Sequence, residues 1–148
     1  MGLFLFLRTE IVFINFEKSK IINNQATLGR TERLKSRKLI ELLFRDGKSI
    51  TAFPLRITYA RPLVGTATLQ AGFSASSRNF KKAADRNRIK RLLREAYRKQ
   101  KPALEKQVGL TGGKMILFII YTGKEVPDLK LVEEKMKLLI DKLINQTN

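Results

Sequence analysis

The segment from Asp85 to Arg94 reads Asp-Arg-Asn-Arg-Ile-Lys-Arg-Leu-Leu-Arg, basic side chains interleaved with aliphatic ones at helical spacing. At about 100° per residue, Ile89, Leu92, Leu93, Ala96 and Tyr97 share one arc of a helix. Arg86, Asn87, Lys90, Arg91, Arg94 and Arg98 fall on the adjacent arc of roughly 140°, and only Arg88 and Glu95 point elsewhere. Such a helix packs along one stripe and presents a cationic stripe beside it. Guanidinium groups stay charged at any working pH and chelate phosphate bidentately, so this chemistry is capture of a polyanion. Asn87 is the least generic group there. Its amide can bond a base, a sugar or a metal-bound water, or it can cap a nearby helix start.

The rest of the composition agrees with binding rather than bond-making. The 148 residues include 30 Lys and Arg against 13 Asp and Glu, a formal charge of +17. From Arg78 to Lys101, eleven basic residues oppose only Asp85 and Glu95, giving +9 within 24 residues. A field of this sign attracts nucleic acid or an anionic membrane. The chain has no cysteine and no histidine. Disulfides and thiolate sites are therefore absent, as are the usual general base near neutral pH and the commonest nitrogen ligand for metals. No catalytic residue and no metal ligand set is expected in the protein itself.

One domain with a single core suits this length. Before the basic helix, the pattern from Ser36, an N-cap, to Asp46 is helical, with Gly47 as terminator. Leu39, Leu42 and Leu43 form its core stripe. Ile40 and Phe44, neighbours at i and i+4, widen the apolar arc, either as more core or as one wall of a groove for an unpaired base. Pro54 then sets the start of a strand in which Leu55, Ile57 and Tyr59 alternate with Arg56 and Thr58, which places Arg56 and Thr58 on an open face. A second period-2 run spans Ala67 to Ser76. Ser76–Lys82 is a polar, basic connection in which Arg78, Lys81 and Lys82 offer a second phosphate contact. Pro102 and the Gly109–Gly113 region end the helical stretch. Met115–Tyr121 reads as a strand buried on both faces, and Asp128 opens a final amphipathic helix.

The decamer resembles the Arg-Asn-Arg signature of the bacterial ribonuclease P protein component, which assists an RNA catalyst in maturing tRNA 5′ ends. Arg33-Leu34-Lys35, the short helix and Gly47-Lys48-Ser49 look like that family's opening segment. Ala71-Gly72-Phe73-Ser74 looks like the strand leading to its signature helix. The resemblance covers about 110 residues, from Gly29 to the last helix. It implies an α+β fold, a small mixed sheet with three helices, and a left-handed strand–helix–strand crossover. It also implies hydrolysis of one phosphodiester bond of precursor tRNA, with the active site and its Mg²⁺ ions held by the RNA subunit and no cofactor bound by the protein alone.

On the family pattern, RNA contacts fall to Arg86, Asn87, Arg88, Lys90, Arg91, Arg94 and Arg98, with Arg78, Lys81 and Lys82. The cleft for the precursor leader falls to Ile40, Phe44, Arg56, Thr58 and Tyr59. Phe44 matches one aromatic position of the family. Ile40 and Thr58 stand where aromatics are common, and Tyr59 is one residue out of phase, so weaker leader stacking is expected. The implied partners are the ribonuclease P RNA and precursor tRNA, in the cytoplasm, with no membrane and no obligate protein partner. A ribosomal or other structural RNA-binding protein would share the charge and size but not the decamer combined with the upstream helix. A membrane-surface module would need the apolar stripe that the core needs, and an autonomous metal-dependent nuclease would lack histidine.

Residues 1–28 differ in character from the remainder of the chain. They carry a net charge of only +1. Their apolar run is interrupted by Arg8 and Glu10 and is too short to span a membrane. No basic n-region with a small-residue cleavage site is present, and Phe6 replaces the Ser or Thr that myristoylation of Gly2 would need. This N-terminal extension reads as a lineage-specific arm without fixed structure or as the product of a start codon assigned too far upstream. The resemblance assigns residues 29–148 to a ribonuclease P protein-like RNA-binding domain.

Overall fold

A computed structural model describes residues 28–62 and 69–147. The expectation for the N-terminal extension lies outside the described residues, except at Leu28, which packs against the main core. After a single 3-10 turn at Arg30–Glu32 come α1 (Arg37–Asp46), β1 (Lys48–Ala52), β2 (Leu55–Ala60), β3 (Leu69–Ala75), α2 (Ala83–Leu110), β4 (Met115–Tyr121) and α3 (Leu129–Thr147). The strands form one mixed sheet in the order β1-β2-β4-β3. β1, β2 and β4 pair antiparallel, whereas β3 runs parallel to β4. α2 therefore belongs to a strand–helix–strand unit built on neighbouring parallel strands. The expected α+β class, with three helices and a small mixed sheet, is the architecture observed.

Strand alternation separates two faces. Leu55, Ile57 and Tyr59 of β2 line up with Tyr121, Ile119 and Leu117 of β4, and these in turn with Ala75, Phe73 and Ala71 of β3. That face is the main core, closed by Ile89, Leu93, Ala96, Tyr97, Leu104 and Val108 of α2 and by Val132, Met136, Leu139, Ile140 and Leu143 of α3. Asp128 starts α3 as expected, its Oδ1 accepting the Leu131 N–H at 3.1 Å.

The opposite face is only partly covered. α1 sits over one end of it, where Leu43 joins Leu34 and Ile116 in a small second cluster bordered by Leu39, Ile40, Ala60 and Phe118. Leu43 alone of the α1 stripe is buried; Leu39 and Leu42 are half-buried, because α1 rests on a strip of sheet rather than in a core. Gly47 follows the helix with φ −72°, so left-handed geometry is not its purpose. A Cβ there would lie 2.2 Å from the Leu43 carbonyl oxygen, and its absence lets the chain turn directly into β1.

Several expectations change. β1 is an additional short edge strand, whose Ile50 is its only large apolar side chain. The β4 run is not buried on both faces, since Phe118 and Ile120 are half-exposed on the side that α1 leaves open. Nor does Pro102 end the basic helix. α2 continues through it to Leu110, 28 residues in all, losing one backbone hydrogen bond. Leu92 is half-buried, while its neighbour Leu93 is fully buried. Leu93→Ala is therefore expected to cost about 2–5 kcal/mol in chemical denaturation and Leu92→Ala distinctly less. Equal losses at the two positions would refute this orientation of α2.

Lys101, one of the eleven basic residues counted between Arg78 and Lys101, is 2% exposed. Its ammonium pairs with Glu32 and lies 3.5 Å from Glu105. Glu32 also accepts the Gly29 N–H through Oε2 at 2.7 Å, which ties the start of the described chain onto α2. Beneath this cluster, burial, followed by the nearby carboxylates of Glu105 and Glu32, raises the Tyr97 phenol far above its ordinary value.

Candidate nucleic-acid interface

α2 packs against β3, one of the two edge strands of the sheet, through its apolar stripe. Asn87, Arg88, Arg91 and Arg94 are exposed along it, and Lys90 and Arg98 are half-buried. Asn87 is the fifth residue of the helix, four positions beyond the first helical residue, so it does not cap the helix start. Arg98 is engaged within the molecule, its Nη2 donating to Glu95 at 2.6 Å.

Arg86 has a different place from the one its position on the wheel suggests. It is half-buried, and its Nη1 donates to the carbonyl oxygens of Phe80 at 2.7 Å and Lys81 at 2.8 Å. Asn79 complements it, its amide donating to the Thr122 and Gly123 carbonyls at 3.3 and 3.1 Å. The loop carrying exposed Arg78, Lys81 and Lys82 is thus fastened to α2 on one side and to the end of β4 on the other. Arg86 shapes the cationic surface as well as contributing charge to it.

The second feature is the open sheet face beside α1. Phe44 is 53% exposed, and its ring meets Phe118 edge-on with centroids 5.2 Å apart. Phe118 lies across from Thr58 on one side and Gly72 on the other. A Cβ on Gly72 would come within 2.7 Å of the Phe118 ring, so this glycine is what allows the ring to lie against β3. The next row of the sheet is Thr51, Arg56, Ile120 and Ser74. Arg56 is exposed, with its Nη2 donating to Ser49 Oγ at 3.2 Å. An aromatic pair flanked by a guanidinium and hydroxyls can stack an unpaired base and hold its phosphate.

Of the expected cleft residues, Phe44 and Arg56 meet on this face. Ile40 is half-buried at its rim, packed on the Leu34–Leu43–Ile116 cluster. Thr58 shares the face but is 5% exposed: α1 covers it, and its hydroxyl lies 3.1 Å from that of Ser49. Tyr59 does not belong to the cleft. It points into the main core, where its hydroxyl donates to Gln146 Oε1 at 2.8 Å. Phe118 escapes a reading by sequence because an unbroken apolar run carries no alternation to say which residues share a face. Among the described residues, no helix is long and apolar enough to cross a membrane.

Fold and site together define a class, the small basic α+β protein with a cationic crossover helix beside a half-open sheet. The chain matches the Ribonuclease P family over residues 28–144. It is 35% identical over 116 residues to the ribonuclease P protein component of Porphyromonas gingivalis (strain ATCC 33277), covering 74% of this chain and 81% of that protein. With the corresponding protein of Chlorobium phaeobacteroides it shares 30% identity over 125 residues, covering 77% and 86%. Among solved structures, the RNase P protein from Thermotoga maritima superposes with a TM-score of 0.57 at 26% identity, covering 75% of this chain and 96% of that one. The Staphylococcus aureus RNase P protein gives a TM-score of 0.58 at 16% identity, covering 80% and 100%, a likeness of fold alone. The chain belongs to the ribonuclease P protein family, the RNA-binding protein component of an endoribonuclease that processes tRNA 5′ ends.

Proposed function

We propose that this chain binds the catalytic RNA of ribonuclease P through α2 and its preceding loop, and receives the single-stranded 5′ leader of precursor tRNA in the cleft between α1 and the open sheet face. The observation that carries this reading is the exposed row Asn87, Arg88, Arg91 and Arg94 on a helix whose other side is locked into the core. Lys90, Arg78, Lys81 and Lys82 extend that row, while Arg86 and Arg98 set its shape through their own contacts. In the cleft, Phe44 and Phe118 supply stacking surface and Arg56 a phosphate contact. Ile40 and buried Thr58 offer no aromatic face, consistent with leader stacking centred on one aromatic pair.

In this reading the chemistry belongs to the RNA. Mg²⁺ held there activates water and stabilises the leaving oxygen, while the protein neutralises phosphate repulsion and positions the leader. The expected setting is the cytoplasm, with ribonuclease P RNA and precursor tRNA as partners and no obligate protein partner. The test is cleavage of a precursor tRNA by bacterial ribonuclease P RNA at low Mg²⁺, with and without this protein. Strong stimulation is expected. Tight RNA binding without stimulation would instead identify a structural RNA-binding protein.

A further inference from the structure

At the end of the sheet where β1 turns into β2, Phe53 is 71% exposed, although it is among the largest apolar side chains of the chain. It is not a loose loop tip. The carbonyl of Pro54, joined to Phe53 by a cis peptide bond, accepts both the backbone N–H of Thr122 at 2.8 Å and its Oγ1 hydroxyl at 3.0 Å. Phe53 and Pro54 thereby form one wall of a cavity of about 500 Å³, with Tyr121, Gly123, Lys124 and Leu131 around it. Tyr121 is held in place by donating to the Glu125 carbonyl at 2.5 Å, and its ring lies 5.9 Å from that of Phe80. The cavity thus combines an exposed aromatic ring, carried on an anchored turn, with one ammonium group, at a place no leader contact requires.

Its surroundings say what it would hold. Thr122 and Gly123, which bound the cavity, are the residues whose carbonyls accept the Asn79 amide. One continuous edge therefore runs from Phe53 past Lys124 to the loop of Arg78, Lys81 and Lys82. Glu125 is the one acidic residue among those lining the cavity. Tyr121 faces the main core and Leu131 comes from α3, and no residue of the leader cleft lines the cavity. We infer that this pocket is a docking site for an unpaired nucleotide of the ribonuclease P RNA, its base stacked on Phe53 and its phosphate beside Lys124. The inference rests on the function proposed above. It adds an aromatic anchor to an interface otherwise made of charge.

The test uses the full chain and ribonuclease P RNA without substrate, with affinity measured across a salt series. Phe53→Ala is expected to weaken binding about tenfold while leaving the salt slope unchanged, because stacking releases no counterions. Phe53→Leu, which keeps apolar bulk but removes the aromatic face, should lose about as much, and Phe53→Trp should retain affinity. Lys124→Gln should lower the slope by about one phosphate contact. Unchanged affinity in Phe53→Ala, or full affinity in Phe53→Leu, would overturn the stacking site. A defect that appears only with precursor tRNA and grows with leader length would overturn it in favour of a leader contact. A wild-type chain that neither binds nor stimulates the RNA would remove the functional reading and this site together. Wild-type stimulation with silent Phe53 variants would remove this site alone.

Discussion

Replacing Arg91 and Arg94 together with alanine is expected to weaken binding to ribonuclease P RNA about a hundredfold near physiological salt. A charge-assisted hydrogen bond to phosphate contributes about 1.5–3 kcal/mol, so two such contacts account for two decades or more. The plot of log affinity against log salt should flatten by about 0.9 for each duplex phosphate that is no longer neutralised. Both residues are exposed and lie outside the packed stripe, so the melting temperature should hardly move. A salt plot parallel to that of the wild type would show that these guanidinium groups do not meet phosphate. Arg86→Ala should behave differently. It removes the clamp on the Phe80 and Lys81 carbonyls, so affinity falls through the loss of a shaped loop as well as of one charge. Arg86→Lys should restore little, since an ammonium cannot reproduce the planar geometry of a guanidinium.

The second large effect concerns stability. Lys101→Met should destabilise the protein by about 3–5 kcal/mol, because Glu32 and Glu105 keep their charges beside a core that has lost its ammonium. Thermal unfolding should shift down by roughly 10 °C. Adding Glu32→Gln and Glu105→Gln to Lys101→Met should recover much of the loss, since a neutral cluster of similar shape avoids the uncompensated charge. RNA affinity measured well below the melting transition should match the wild type, because Lys101 does not reach the surface. A loss under 1 kcal/mol in calorimetry would mean that the pair is effectively solvated.

The burial of Lys101 has no local signature in the sequence. Glu32 lies 69 residues away from it in the chain, and a buried cation is written with the same letter as a solvated one. Local periodicity, by contrast, is sufficient for α2, where the packed and cationic arcs are both set by one helix. It is also sufficient for Tyr59, whose alternation with Leu55 and Ile57 already places it with the core; only its nearness to a family aromatic position suggests the cleft. The cleft floor cannot be read in the same way. Whether Phe118 or Leu117 faces α1 depends on pairing with β2 and β3, and an unbroken apolar strand contains no record of that pairing. Gly72 stands out within a motif, but its reason becomes visible only beside the Phe118 ring. β1 is hard to see in advance because a short edge strand with a single large apolar side chain hardly differs from a loop in composition.

The fastening of the Arg78–Lys82 loop by Asn79 and Arg86 has a kinetic consequence. A cationic segment that must fold on its target makes association wait for an ordering step, whereas this one holds its shape before any encounter. Capture of RNA should then be governed by diffusion and long-range attraction, with an association rate that falls steeply as salt is added. Loosening the loop through Asn79→Ala should slow productive encounter while leaving the net charge untouched.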